Sequence, residues 1–351
     1  MPVNRKIVVR FNFRNDPVLV ERLGREDDIE LVTCDRAAPD ADALPHFKAA
    51  HVYHISSAKD ELGKQWFATA ELLAQCPNLV CVSTSGAGFD TVDVDACTKA
   101  GVIVVNQSGA NAQAVAEHTI GLMIGVSKRI TESDRRMRRE LIVDRDEVMG
   151  RDISGKTVGI IGIGNIGRRT ARLANAFEMT ALAYDPYVSK DEIARRGAQA
   201  VSLDELLARS DFVTVHCPRT KETLDMIDKR AFSKMKKGAI FITTARGGIH
   251  NEPALYDALA SGHLRGAGLD VWDKEPPPLD HPLLKLANVI ATYHTAGVTH
   301  EARAAMASFA AEQIVEVLRA KHPPRLINPE VWPAYSKRFE ALIGVPPQNR
   351  V

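Results

Sequence analysis

Cysteine is scarce and unpatterned in this chain of 351 residues. There are five, Cys34, Cys76, Cys81, Cys97 and Cys217; the number is odd and no two stand as C-x-x-C. That argues against a disulfide framework and a zinc site, and for free thiols in a reducing, cytoplasmic compartment. Charge of one sign is missing too. Lys and Arg number 45 against 44 Asp and Glu, a net +1, so no field recruits nucleic acid or an acidic partner. The densest basic run, Arg135 to Arg139, reads as a solvated helix end. No apolar run approaches the roughly 18 residues of a membrane span, and the first residues lack a signal-peptide apolar region. Short-period repeats and low-complexity tracts are absent. What remains, 45% hydrophobic and 25% charged residues, is the composition of a globular protein long enough for two domains.

The richest stretch is Lys156 to Asp185. Val158–Ile161 reads as a buried parallel strand. Gly162, Gly164 and Gly167 follow with G-x-G-x-x-G spacing. A helix is expected next, with Ile166, Thr170, Leu173 and Phe177 on one face. A second strand, Thr180–Tyr184, ends at Asp185. Gly162 allows the turn, Gly164 admits a pyrophosphate to the backbone, and Gly167 lets the helix pack on its strand. Free N–H groups at the helix start face the phosphates. Asp185 can accept hydrogen bonds from an adenosine ribose, and its charge would repel a 2′-phosphate, so NAD is expected rather than NADP. Arg168 and Arg169 read as a solvated helix face.

Before this stretch, strands are expected at Ile7–Phe11, Ile29–Cys34, His51–Ile55, Leu79–Ser83 and Val102–Val105. Amphipathic pieces lie between them, the clearest running from Lys64 to Gln75. Such alternation implies a parallel sheet covered on both faces. The small residues of Ser83–Asp90 follow a strand, where backbone N–H groups can hold a carboxylate or simply turn the chain. One long helix is expected over 109 to about 130, with His118 as a satisfied structural histidine. Residues 131 to 151 are charged and without clear period, and read as an exposed arm or linker.

After Asp185, strands are expected at Asp211–His216, Ala239–Thr243, Gly266–Val271 and Asn288–Ala291. Helices are expected at Ser202–Arg209, Lys229–Met235 and Asn251–Ser261. A final helix, His300 to Ala320, returns to the first domain, and the Pro-rich tail from His322 is ordered only if it docks. Three polar residues stand just past strands on the edge of the glycine turn: Arg246, Glu275 and His294. An Arg can bind a carboxylate and a carbonyl through two N–H groups. A His can give or take a proton near neutral pH, and a Glu beside it stabilises the imidazolium. Beside a nicotinamide, the set suits interconversion of 2-keto and 2-hydroxy acids.

These motifs together resemble the D-isomer-specific 2-hydroxyacid dehydrogenase family, which includes 3-phosphoglycerate dehydrogenases and hydroxypyruvate/glyoxylate reductases. The matching pieces are Gly86-Ala87-Gly88-Phe89-Asp90, Ala116-Glu117-His118, the glycine fingerprint with Asp185, Val215-His216-Cys217-Pro218, Thr244-Ala245-Arg246-Gly247-Gly248, Asp270-Val271-Trp272 with Glu275-Pro276, and His294. The resemblance implies an α/β fold of two doubly wound parallel-sheet domains. A Rossmann coenzyme domain (109–300) is inserted into a flavodoxin-like substrate domain (1–108 with 301–351). It implies Arg246 as the substrate-orienting residue, His294 as acid/base and Glu275 as its partner. Ser85, Gly86, Ala87 and Gly88 would bind the substrate carboxylate. Gly162, Gly164, Asn165, Ile166, Gly167, Asp185, Cys217, Thr244, Ala245, Arg246, Asp270, His294 and Gly297 would meet NAD, and no metal is implied. Family members usually form homodimers through the long helix and arm near 111 to 150. Other readings are a coenzyme-sensing corepressor-like protein, and a formate or phosphite dehydrogenase; formate dehydrogenases carry Gln where Glu275 stands.

Overall fold

The computed structural model describes residues 5–13, 16–141 and 144–349. The chain folds as two compact units, Met1–Asn111 with His300–Val351, and Ala112–Thr299. The first unit opens as an alternation of β1 (Lys6–Phe11), α1 (Pro17–Leu23), β2 (Ile29–Cys34), α2 (Asp40–Ala49), β3 (Val52–Ile55), α3 (Ala70–Ala74), β4 (Cys81–Thr84), α4 (Val94–Lys99) and β5 (Ile103–Val105). Its five strands are all parallel, in the order β2-β1-β3-β4-β5. This is the flavodoxin-like doubly wound arrangement. β3, β4 and β5 are buried along their whole length, which is why they read as unbroken apolar runs. The expected piece Lys64–Gln75 is not one helix. It is a 3-10 turn at Lys64–Trp66 followed by α3, because Ala68 between them leaves the helix to bridge Val92.

The second unit begins with α5 (Ala112–Ser127) and α6 (Ile130–Met137). The single long helix expected over 109–130 is broken at Arg129, which takes a left-handed conformation at φ 54°. The expected arm or linker is helical in its first part. Exposed i,i+4 pairs such as Asp134–Arg138 support a helix that buries no residue. Of that arm, residues 142 and 143 lie outside the described residues. Then come β6 (Thr157–Ile161), α7 (Gly167–Ala176), β7 (Thr180–Tyr184), α8 (Lys190–Arg195), β8 (Gln199–Ala200), α9 (Leu203–Arg209), β9 (Phe212–Val215), α10 (Lys229–Lys234), β10 (Ile240–Thr243), α11 (Glu252–Ala260), β11 (Gly266–Leu269) and β12 (Val289–Ala291). All seven strands are parallel, in the order β12-β11-β10-β9-β6-β7-β8. Numbered within the unit this is 3-2-1-4-5-6 with a seventh strand, the Rossmann order, and its direction reverses between β6 and β9. The face α7 buries is Thr170, Ala171 and Ala174; Phe177, expected on that face, is exposed.

The chain then completes the first unit with α12 (His300–Leu318) and α13 (Trp332–Ile343). The expected boundaries at 108/109 and 300/301 move to 111/112 and 299/300, because α5 and α12 begin at Ala112 and His300. The tail does dock. Leu326 bridges Val105, Ile327 N–H donates to the Val104 carbonyl at 2.8 Å, and Asn328 accepts from Val104 N–H at 2.8 Å. Tyr335 and Phe339 are fully buried with Ile314, Val80 and Ile103. Residues 350 and 351 of the tail lie outside the described residues. Among the described residues no helix is long and apolar enough to cross a membrane.

Candidate active site

The glycine turn sits at the end of β6, where the strand order reverses. Gly162 adopts φ +89°, and a Cβ there would stand 2.8 Å from the backbone nitrogen of Cys217 at the end of β9. A Cβ on Gly167 would stand 2.1 Å from the Gly162 carbonyl oxygen, so α7 starts as close to the turn as a glycine allows. Gly164 is exposed with nothing within 4 Å of where a Cβ would be. Asn165 and Ile166 complete the turn, Asn165 Oδ1 accepting from Arg168 at 3.0 Å. Asp185, past β7, accepts from Ile163 N–H at 3.0 Å and from Tyr187 N–H at 3.1 Å. Its carboxylate is thereby fixed beside the turn. Cys217 is half-buried, and burial pushes its thiol up to about 11, so it is a neutral wall. His216, which the sequence reading left without a role, is half-buried between Thr214 (3.1 Å) and Thr170 (3.4 Å). Burial pushes it down to about 3, so as a neutral ring it joins α7 to β9.

A second group gathers at the ends of β10, β11 and β12. Thr244 and Ala245 are buried, and Arg246 emerges half-buried, its Nη1 donating to the Ala245 carbonyl at 2.7 Å. A Cβ on Gly247 would stand 2.0 Å from the Trp272 carbonyl oxygen, so the Arg246 loop is pressed against the loop that carries Glu275. Glu275 accepts from Trp272 N–H at 3.0 Å and, with its other oxygen, pairs with His294 Nδ1 at 2.9 Å. Burial would raise the Glu275 carboxyl. The hydrogen bond from His294, the charge of His294 and that of Arg246 outweigh it and hold the carboxyl below its ordinary value. His294 has φ 54°, in the left-handed region that few non-glycine residues occupy. Asp270 holds the following turn, accepting from Thr295 N–H at 2.8 Å and Ala296 N–H at 2.9 Å, with Gly297 next in the chain.

The structure therefore brings Arg246, Asp270, Glu275 and His294 to one edge of the seven-stranded sheet, the edge that carries the glycine turn. Ser85 to Gly88 belong to the first unit, past β4. Ser85 Oγ accepts from Ser57 N–H at 3.3 Å, and the carbonyls of Gly86 and Ala87 accept from Gln107 N–H (2.9 Å) and Asn106 Nδ2 (2.7 Å). Three side chains that brace the Glu275 loop escaped the sequence reading. Glu252 accepts from Asp273 N–H at 2.8 Å and pairs with His281 at 3.1 Å, while Asp273 accepts from Gly248 N–H at 2.7 Å. Nothing in their spacing marks them, since each partner lies 21 or more residues away. Among the described residues no group of three His, Cys, Asp or Glu could hold a metal ion. The donor set does fit a dinucleotide: adjacent N–H groups at the start of α7 for phosphates, an open glycine for their approach, and an anchored carboxylate that accepts from a ribose diol.

Residues 120–296 match the sequence profile of the D-isomer specific 2-hydroxyacid dehydrogenase, NAD binding domain. The chain is 43% identical over 266 residues to a D-3-phosphoglycerate dehydrogenase of Archaeoglobus fulgidus, covering 76% of this chain and 50% of that one. It is 39% identical to a glyoxylate reductase of Korarchaeum cryptofilum, covering 75% of this chain and 80% of that one. Among solved structures it superposes on a D-lactate dehydrogenase from Aquifex aeolicus, complexed with NAD and lactic acid, with a TM-score of 0.75. That pair is 29% identical, covering 89% of this chain and 95% of the other. The chain spans about half the length of the D-3-phosphoglycerate dehydrogenases that it matches.

Proposed function

The chain belongs to the D-isomer specific 2-hydroxyacid dehydrogenase family, and from that premise we propose that it interconverts a 2-keto acid and its D-2-hydroxy acid with NAD(H). The observation that carries this reading is the 2.9 Å pairing of His294 Nδ1 with Glu275 at the sheet edge that also bears Arg246. With Nδ1–H donating to Glu275, Nε2 is the nitrogen left to exchange a proton with the substrate oxygen. The Arg246 guanidinium takes the substrate carboxylate and carbonyl. Backbone amides of Ser85 to Gly88 are read as carboxylate binders, and Asp270 as lying near the nicotinamide amide. When bound, the nicotinamide supplies or takes up the hydride. Gly162 to Gly167 hold the pyrophosphate, Asp185 the adenosine ribose, and Cys217, Thr244, Ala245 and Gly297 line the coenzyme.

Turnover of NADH with glyoxylate, hydroxypyruvate, 3-phosphohydroxypyruvate, 2-oxoglutarate and aryl pyruvates tests the reading. At least one acid is expected to be reduced, and His294→Ala to lose that activity. NADH binding with no acid turned over would favour the corepressor-like reading, and oxidation of formate or phosphite alone would favour that class of dehydrogenase. Asp185 supports NADH over NADPH in kcat/KM, and the reverse preference would overturn its role. A homodimer is supported by Ile130, Met137, Leu141 and Met149, apolar side chains left exposed on α6 and the arm beyond it. A monomer mass by light scattering would sink that part. Five free cysteines, four of them buried, support a cytoplasmic, reducing setting; persistent disulfides in protein from intact cells would count against it.

A further inference from the structure

We propose that His118 is a positioning residue for the coenzyme: acting through Thr292, it fixes the carboxylate of Asp270. The inference rests on the reading above, in which Asp270 lies near the nicotinamide amide and holds the turn beside it. His118 lies on α5, far in sequence from the strand-end loops, yet its Nε2 is 3.2 Å from Thr292 Oγ1. Thr292 Oγ1 is in turn 2.5 Å from Asp270 Oδ1. The direction of the chain follows from chemistry. An ionised carboxylate only accepts, so the single hydroxyl proton of Thr292 goes to Asp270, and toward His118 the hydroxyl can only accept. His118 Nε2 must therefore carry a proton.

Asp270 is fully buried, and its carboxylate depends on donors placed around it. Two are backbone N–H groups of the His294 loop, Thr295 and Ala296. The third, Thr292 Oγ1, would leave the carboxylate on a change of χ1 rotamer, and His118 Nε2 is placed to hold it where it is. His118 Nε2 also stands 3.8 Å from Asp270 Oδ1, so the donor end of the ring faces the carboxylate. The next residue repeats the arrangement on the neighbouring loop. Thr119 Oγ1 lies 3.2 Å from Thr244 Oγ1, past β10. One turn of α5 thus sets two of the loops read as coenzyme contacts. The structural reading of His118 accounts for packing, but not for a donor aimed at a hydroxyl whose proton is already committed.

The test is NADH affinity, measured by fluorescence titration without substrate, together with the tautomer of His118 in the unmodified protein by 15N NMR. His118→Leu keeps bulk and loses the donor; NADH Kd should rise about three- to tenfold. His118→Gln restores an N–H at similar reach and should return Kd to within about twofold. Thr292→Val should match His118→Leu, and the double variant should be no weaker than either alone. The NMR should show a proton on Nε2. An unchanged Kd in His118→Leu, a Gln variant as weak as Leu, or an Nε2 without a proton would each overturn the proposal. The tautomer needs no variant, so it decides even where His118→Leu does not fold. Because no keto acid enters these measurements, a failure of the dehydrogenase reading shows up separately, as NADH binding without turnover.

Discussion

Glu275 loses part of its solvation and still holds its charge better than a free carboxyl, because His294 donates to it. The coupling is reciprocal: the proton that keeps Glu275 ionised is itself retained by the carboxylate. On the proposed mechanism, reduction of a keto acid draws on a second proton, the one on His294 Nε2, and the Glu275 charge favours the doubly protonated ring that carries it. Replacing Glu275 by Gln removes the charge that favours the imidazolium and keeps the size. The alkaline loss of reduction activity should move to lower pH, and the rising limb of hydroxy-acid oxidation should move the same way. At pH values below the depressed range of Glu275 its carboxyl is as uncharged as the glutamine amide that replaces it, and the two profiles should converge. Profiles of kcat/KM against pH decide this; limbs that stay fixed or move upward would show that Glu275 does not tune His294. Arg246 makes a different demand on its neighbours. Two charge-assisted hydrogen bonds, to the substrate carboxylate and carbonyl, contribute about 1.5–3 kcal/mol each, so Arg246→Ala should lower kcat/KM by about 10²- to 10⁴-fold with NADH affinity nearly kept. Arg246→Lys should recover little, since an ammonium cannot make two parallel N–H bonds. A Lys variant with near-normal kcat/KM would remove Arg246 from its assigned role.

Element by element, the strands were the most legible part of the chain. A parallel strand buried on both faces is apolar along most of its length, and Phe212–Val215 and Ile240–Thr243 are buried at every position. The catalytic candidates were legible for a related reason: each stands on the loop that follows a parallel strand, on the edge where loops are free to carry chemistry. Helices were harder to read. On α7 the buried face belongs to small residues, Ala171 and Ala174, that a search for large apolar side chains passes over. The side chains that brace the site, Glu252, Asp273 and His281, are set by tertiary contacts that no local spacing encodes. α13 shows the same limit, since its order depends on where it docks. Its Tyr335 is fully buried, and its hydroxyl has no hydrogen-bond partner among the described residues. A buried, unpaired hydroxyl is costly, so Tyr335→Phe should stabilise the protein, by about 1 kcal/mol. Tyr335→Ala leaves a cavity and should cost about 3–5 kcal/mol, as for other large aromatic truncations. Chemical denaturation of both variants checks the pair, and a destabilised Phe variant would mean that the hydroxyl is satisfied in solution.

At the scale of the whole molecule, the two units differ in how the chain builds them. Ala112–Thr299 is one continuous segment. Its core residues, from Ile120 and Met123 on α5 to Leu283 and Val289, all come from within it. Every strand of its sheet is also its own. The first unit is assembled from two segments that are distant in sequence. Its sheet comes from residues before Asn111, but one face of that sheet is covered by Ala310, Ile314, Leu318, Tyr335 and Phe339, all from the returning segment. Ion pairs join the same pieces, Arg22 to Glu312 at 2.8 Å and Arg319 to Glu26 at 2.7 Å. A fragment 112–299 should therefore fold alone with a cooperative thermal transition. The glycine turn, Asp185 and Asp270 all lie inside it, so it should bind NADH. Ligand at a hundred times Kd would stabilise it by about 2.7 kcal/mol and raise its Tm accordingly. A fragment 1–111 should not fold cooperatively, because it leaves the apolar face of its sheet in water; adding 300–351 through a short flexible linker should restore a transition that NADH does not move. Calorimetry of the three polypeptides tests the scheme. A cooperative, stable 1–111, or a 112–299 whose Tm is indifferent to NADH, would show that the continuity of the chain does not govern which unit stands alone.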